Sequence, residues 1–338
     1  MKKIRIAQIG VLHDHAPVIF DSLMKLEDFE VVGFAREAAG APLTGAFVGA
    51  SEYEISVEKI FDMCKNGELD AVAVESNELR LTEYALKFAE LGIPIHMDKP
   101  GGIELSDFER LVDTVKEKDI PFSLGYMYRF NPNVKAALEA VKRGDIGRIH
   151  SIEAQMNCKH TPQKRQWLEQ FPGGMTFFLG CHLVDLAVMF LGLPDEVLPL
   201  NYCSGTDGVT SLDDGLAILK YKNAAAIIKT SANEPSGFMR RQLVIAGDKG
   251  TIEINPIEKY IENDKDSRLN QSSSMRISCG EKAESWGYIS EFSDCEPYNR
   301  YDEMMRTFAR AVRGEERLPF SPDYELEVYK AVLKTCGK

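Results

Sequence analysis

Over residues 1–123, short apolar runs alternate with segments whose apolar positions recur at helical spacing. This pattern predicts strands at 3–10 (KIRIAQIG), 30–36 (EVVGFAR), 70–76 (DAVAVES), 94–99 (PIHMDK) and 121–128 (PFSLGYMY). Helices are predicted between them at 16–29, 57–67, 79–92 and 106–119. Gly92 stands just past its helix, where a left-handed cap is wanted. Ser106 reads as an N-cap, with Glu109 closing a capping box. Near-continuous apolar strands alternating with helices call for a parallel, doubly wound sheet.

The texture changes at about residue 124. A helix over 131–147, ending at Gly144 or Gly147, leads into a strand at 148–157 and a helix at 179–192. Five strands then follow in a row, at 197–204, 214–222, 224–232, 240–247 and 250–256. Strands without intervening helices indicate an open, mostly antiparallel sheet. The polar stretch 258–296 reads as a loop-rich excursion, 298–314 as a helix, and a last helix near 322–336 as one that packs back on the first domain. The predicted fold is therefore an α/β domain over 1–123 followed by an α+β domain over 124–338, with no internal repeat.

Composition narrows the function. With 338 residues, 44% hydrophobic and 27% charged, the chain can bury a sizeable core in each of two domains. A net charge of −12 argues against nucleic acid and anionic membrane as partners. No apolar run reaches the ~20 residues of a membrane span, and the N-terminal stretch, interrupted by Gln8 and His13, reads as a strand rather than a leader. The seven cysteines are scattered and form no CxxC pair, which fits free thiols and a cytoplasmic location.

The first strand ends in the turn Gly10-Val-Leu12-His13-Asp14-His15. A strand–turn–helix of this kind binds a dinucleotide through G-x-G-x-x-G, and here only Gly10 is present. Leu12 stands where backbone normally approaches the pyrophosphate, and His15 where close helix packing is needed. Phosphate binding at the helix N-terminus remains open to this turn. His13 and His15 also have H-x-H spacing, but no companion cysteine or carboxylate cluster is evident, so they read as polar turn residues and no metal is expected. Arg36, at the tip of the second strand, suits a 2′-phosphate or is a solvated arginine; the reading of NAD or NADP leans to NADP on this residue. Lys99 ends a buried strand, in the crevice where such sheets bind ligands. It is either a snorkelling lysine or an ammonium placed to stabilise a developing alkoxide.

Several motifs in order carry a resemblance. HMDKP (96–100), GYMYRFNP (125–132), VKRGDIGRIHSIEA (141–154) and GGMTFFLGCHLVDL (173–186) follow a Rossmann-type half and precede the run of strands. The chain resembles, over nearly its whole length, the glucose–fructose oxidoreductase/inositol dehydrogenase (Gfo/Idh/MocA) family. Asp98-Lys99-Pro100 looks like the family's Glu-Lys-Pro with a shorter acid. The resemblance implies an NAD(P)-dependent oxidoreductase that moves hydride between nicotinamide and a sugar, cyclitol or related polyol or ketone. It places Asp98, Lys99 and Pro100 near the nicotinamide, with the bond before the proline often cis, and makes Lys99 and His182 the catalytic pair.

The chain also departs from the family. An Asp-x-x-x-His is common there, and here Phe178 takes the carboxylate's place before His182. His182 then works with Lys99 alone, or is oriented by Asp185, or the chain has little dehydrogenase activity; Phe178 would also suit a substrate with fewer hydroxyls. Ser76 and Asn77 replace a Thr-Pro pair and can still contact ribose or pyrophosphate. Arg129 faces the active-site crevice or forms a structural salt bridge, and Trp167 lies near the nicotinamide or is an ordinary packed aromatic. The alternative function is a dinucleotide-binding sensor or regulatory protein that kept the fold and lost catalysis. The expected partners are a small-molecule substrate and further copies of the chain, as a homodimer or homotetramer.

Overall fold

The computed structural model describes residues 2–261, 270–280 and 290–338. Two compact units divide the chain: Met1–Tyr126 with Tyr301–Tyr329, and Met127–Arg300 with Lys330–Lys338.

The first unit begins with β1 (Ile4–Ile9), α1 (Ala16–Lys25), β2 (Phe29–Ala35), α2 (Val57–Lys65), β3 (Ala71–Val74), α3 (Leu81–Glu90), β4 (Ile95–Met97), α4 (Leu105–Lys118) and β5 (Phe122–Leu124). The five strands form one parallel sheet in the order β2-β1-β3-β4-β5. Every residue of β3 is buried, as expected for a strand covered on both faces. Phe20, Phe34 and Phe47 form an aromatic cluster, with ring centroids 4.7–5.2 Å apart, between α1 and the tip of β2. Gly92 adopts a left-handed φ of +76° just past α3.

Two local expectations are corrected here. α4 starts at Leu105 with Glu104 at its N-cap, and no side-chain cap bond forms, so Ser106 is not the cap. Starting one residue earlier puts half-buried Leu105 on the face shared by buried Phe108 and Val112. β5 is three residues rather than eight, because Gly125 packs against Asp98 and the chain leaves the sheet there; a Cβ on Gly125 would lie 2.6 Å from Asp98 Oδ1.

The second unit opens with a tight turn at Met127–Phe130 and α5 (Pro132–Arg143). Asn131 caps α5 by accepting from the Asn133 and Val134 amides, and Gly144 ends it in the left-handed region. Then come β6 (Ile149–Asn157), α6 (Pro162–Trp167), a wide π-type turn at Thr176–Gly180, α7 (Cys181–Leu191), β7 (Glu196–Tyr202), β8 (Asp214–Tyr221), β9 (Ala224–Ser231), β10 (Gln242–Gly247) and β11 (Gly250–Ile254). The helix expected from residue 179 thus begins at Cys181.

The excursion at 258–296 holds more sheet than expected. It contains β12 (Lys259–Tyr260), β13 (Gln271–Ser272), β14 (Ser274–Cys279) and β15 (Glu291–Asp294). β14 and the edge strand β15 are mostly polar, and their pairing supplies the order that their composition does not advertise. Residues 262–269 and 281–289 of that stretch lie outside the described residues. Among the described residues the sheet has eight strands, in the order β15-β14-β11-β10-β6-β9-β8-β7, antiparallel except for the β6–β9 pair.

α8 (Asp302–Val312) and the start of α9 (Pro322–Thr335) complete the first unit. There the Tyr329 hydroxyl donates to the Gly102 carbonyl at 3.0 Å. No helix among the described residues is long and apolar enough to cross a membrane.

Candidate active site

The first unit gathers its polar groups at the C-terminal ends of β1, β3 and β4, which are neighbours in the sheet. Gly10 has φ +98°, and a Cβ there would lie 2.2 Å from the Ser76 amide nitrogen. Only glycine lets the first turn run this close to the end of β3. A residue that sequence reasoning missed organises this turn: Glu37, two residues beyond β2, is buried. Its carboxylate accepts from the amides of Val11 (2.9 Å), Leu12 (3.3 Å) and Asn77 (2.9 Å). The sequence signal for it is an acidic residue at the second strand's tip, directly after Arg36.

Arg36 has partners of its own. It pairs with Glu54 through Nη2 (2.9 Å) and donates to the Ala41 carbonyl through Nη1 (2.9 Å). It lines a cavity of about 960 Å³ with Glu37, Phe61, Arg80, Tyr84 and Lys87. Leu12 is partly exposed, and Ser76 is buried, its hydroxyl directed at the Asn77 carbonyl at 3.4 Å. The Asn77 side chain accepts from the Leu79 amide.

His13, buried in the first turn, points inward. Its Nδ1 lies 3.2 Å from Asp98 Oδ2 and 3.9 Å from Glu75 Oε2, and its Nε2 lies 3.7 Å from Glu78 Oε1. His15, at the start of α1, sets its Nδ1 3.0 Å from the same Asp98 oxygen. The carboxylates that the sequence around His13 and His15 did not reveal are therefore here, from Glu75, Glu78 and Asp98. Asp98 Oδ1 accepts from the Lys99 amide at 2.7 Å, so the aspartate braces the backbone of the lysine. Lys99 itself is 2% exposed, and its bond to Pro100 is cis.

Burial and mutual charge set the protonation of this cluster. Burial and the nearby Asp98 carboxylate push Glu75 well above the usual carboxylate range. Burial also disfavours Asp98 as an anion, but His13 and His15 outweigh it and hold Asp98 well below its ordinary value. Burial lowers His96 to about 4.

The second unit holds His182, on the buried first turn of α7. Its ring stands edge-on to Tyr128, centroids 5.0 Å apart. The Tyr128 hydroxyl donates to Glu258 at 2.5 Å, and Arg241 and Arg300 pair with the same carboxylate. Burial works against the Glu258 anion, but the two arginines outweigh it and lower its pKa. This network was also missed, since nothing near Glu258 in the sequence marks it.

Arg129 and Asp185 come together. Arg129 Nε lies 2.9 Å from both carboxylate oxygens and Nη2 2.6 Å from Oδ1, with both side chains buried. Phe178 packs edge-on against Trp167 (5.4 Å) and stacks near Phe171 (6.2 Å). Lys164 Nζ lies 3.6 Å from the Trp167 ring centroid. Position 178 is thus part of an aromatic cluster.

These residues fit the adenosine half of a nicotinamide dinucleotide. Gly10 keeps the turn low, Glu37 stands at the tip of β2 where a carboxylate would meet ribose hydroxyls, and the adjoining cavity has room for the base. At the pyrophosphate, the Val11 and Leu12 amides are already engaged by Glu37, and the fit falls to the N-terminus of α1.

Comparison with known proteins finds relatives among oxidoreductases. Residues 134–253 match the GFO/IDH/MocA C-terminal domain family. The chain is 24% identical over 210 residues to myo-inositol 2-dehydrogenase of Thermotoga maritima, covering 59% of this chain and 61% of that protein. It is 24% identical over 305 residues to D-xylose 1-dehydrogenase (NADP(+)) 2 of Haloferax volcanii, covering 89% of this chain and 84% of that protein. Among solved structures, aldose-aldose oxidoreductase from Caulobacter crescentus, complexed with glycerol, superposes with a TM-score of 0.80 at 16% identity, covering 99% of this chain and 98% of that one. That likeness establishes the fold.

Proposed function

We propose that this chain, a divergent member of the Gfo/Idh/MocA family, is an NAD(P)-dependent dehydrogenase acting on a CH–OH group of a sugar, cyclitol or related polyol. The observation that carries the reading is Lys99, a buried lysine at the C-terminal end of β4, with its backbone braced by Asp98. The bound nicotinamide would supply or accept the hydride. Lys99 would hydrogen-bond the reacting oxygen, stabilise its developing negative charge and transfer the hydroxyl proton. In a buried setting such a charge contact is worth far more than in water. His182 is the second proton-handling group of this reading. The engagement of Asp185 by Arg129 supports a His182 that works without Asp185 as its orienting partner.

We infer a preference for NAD(H). Glu37 would meet the ribose hydroxyls and repel a 2′-phosphate, while Arg36 is engaged by Glu54. This runs opposite to the lean that Arg36 gave the sequence.

The test is Lys99→Met, assayed with NAD⁺ and NADP⁺ across inositols, aldoses and their keto forms. NADH binding should stay within about threefold, while turnover falls by ~10²–10⁴. Unchanged turnover on a confirmed substrate would remove Lys99 from the chemistry. Binding without turnover by the unmodified protein, across the whole panel, would favour the sensor alternative.

A further inference from the structure

The His-x-His of the first turn carries something that the dehydrogenase reading does not use. We propose that His13, His15 and Asp98 form a binding site for a divalent transition metal of zinc type, at the C-terminal end of the first unit's sheet.

One nitrogen from each histidine and one Asp98 oxygen all lie within 4.8 Å of one another. The two measured spacings, His13 Nδ1 and His15 Nδ1 to Asp98 Oδ2, are 3.2 and 3.0 Å. Two donors each about 2.1 Å from an ion, at angles of about 90–110°, stand about 3.0–3.4 Å apart. Both spacings therefore already match a ligand bite. Asp98 Oδ1 is committed to the Lys99 amide, which leaves Oδ2 facing the imidazoles.

The hydrogen bonds point the same way. The His15 amide donates to His13 Nδ1 at 3.1 Å, so that nitrogen carries a lone pair. It nevertheless sits 3.2 Å from a carboxylate oxygen. A positive charge joins the two, either the proton of a His13–Asp98 hydrogen bond or a metal ion in that proton's place. With Nδ1 on the ion, the proton of His13 moves to Nε2 and faces Glu78 Oε1, 3.7 Å away; a carboxylate behind a ligating imidazole is the usual way such a ring is oriented.

Unpartnered polar groups surround the site. Both oxygens of Glu75 and of Glu78 are buried and lack hydrogen-bond partners, as do His13 Nε2 and His96 Nε2. Glu75 Oε2, 3.9 Å from His13 Nδ1, would become a fourth ligand on giving up its proton to the ion, and its Oε1 lies 3.7 Å from His96 Nε2. Asp98 and Glu75 thus face Nδ1 of His13, while Glu78 stands behind the ring at Nε2. Two imidazoles with one carboxylate select zinc-type ions over Mg²⁺ or Ca²⁺, which want oxygen alone. The ion would tie the first turn to the strand end that carries Lys99, and the inference does not depend on the proposed activity.

The test uses the full chain, stripped with chelator and titrated with Zn²⁺ against a chromophoric competitor, with Co²⁺ absorption as a second probe. One ion per chain is expected, with Co²⁺ bands of nitrogen and oxygen ligation and no thiolate charge transfer. His13→Ala and His15→Ala should each weaken binding ~100-fold, and Glu78→Gln ~10-fold. His150→Ala, at an exposed histidine, should leave it unchanged. Absence of stoichiometric binding overturns the proposal, as does wild-type affinity in a folded His13→Ala variant. Should those variants fail to fold, crystals of the wild-type protein grown with Zn²⁺ decide. An anomalous peak among His13, His15 and Asp98 sustains the site; a peak elsewhere, or none, refutes it.

Discussion

Replacing Glu37 with alanine separates the structural job that its hydrogen bonds show from the ribose contact proposed for it. The carboxylate holds three backbone amides, of which Val11 is buried and Asn77 half-buried, while Leu12 is exposed enough for water to take over. Bonds to a charged acceptor contribute ~1.5–3 kcal/mol each, and orphaned buried donors keep their desolvation cost. Two such losses put the destabilisation of Glu37→Ala at ~2–4 kcal/mol, allowing for partial relaxation of the turn. The second job is discrimination. Loss of charge-assisted bonds to the ribose should weaken NADH by ~10–100-fold. NADPH should be spared or improved, because its 2′-phosphate no longer meets an anion. The assay is urea unfolding alongside fluorescence titration with both dinucleotides, repeated on Arg36→Ala, which should change the two affinities together by no more than about threefold. An unchanged NADH-to-NADPH ratio in folded Glu37→Ala would show that the ribose does not meet Glu37. A selective loss of NADPH in Arg36→Ala would reinstate Arg36 as the phosphate reader.

Two further outcomes follow from the pairings. Asp185→Ala should cost ~3–5 kcal/mol in denaturant unfolding, because it strands the buried Arg129 guanidinium, while the double change Arg129→Leu with Asp185→Leu should cost less than the sum of the singles; strict additivity would deny the pair. Asp70 is drawn from 3.8 to about 2, chiefly by its hydrogen bond with Arg5. A depressed folded value means that this stabilisation, held to about 1 kcal/mol or less by solvent screening of an exposed pair, is present above about pH 4 and is lost as pH falls toward 2. Acid unfolding of Asp70→Asn should be flatter across that window, and an unaltered profile would count against the Arg5 pairing.

Much of the architecture could be read from periodicity because the physics there is local. β3 is apolar throughout since both its faces are covered, and α5 announces itself through Asn131 at one end and Gly144 at the other. Legibility fails where pairing across distance overrides local preference. β14 and β15 are mostly polar, and they are strands because β14 pairs with the edge of β11 and β15 in turn with β14. Ser106 looked like a cap because the signature is strong, yet the burial of Leu105 against the helix's inner face sets the start one residue earlier.

The site shows the same division more sharply. His13 and His15 looked like bare turn residues because a window of sequence around them holds no ligating carboxylate cluster. Asp98, which meets His15, is 83 residues further on. Yet distance along the chain is the wrong measure in a parallel sheet. Every strand delivers its C-terminal end to one edge, so the loops after neighbouring strands must meet. With β1, β3 and β4 adjacent, the turn at 10–15, the Glu75–Glu78 stretch and Asp98 are brought together by topology alone. Each of those three segments carries polar groups that would be costly to bury singly, and together they can satisfy one another or share an ion. The opposite shifts of Glu75 and Asp98 are the electrostatic sign of that crowding: two carboxylates close enough to repel, one holding its proton so that the other can stay charged beside the histidines.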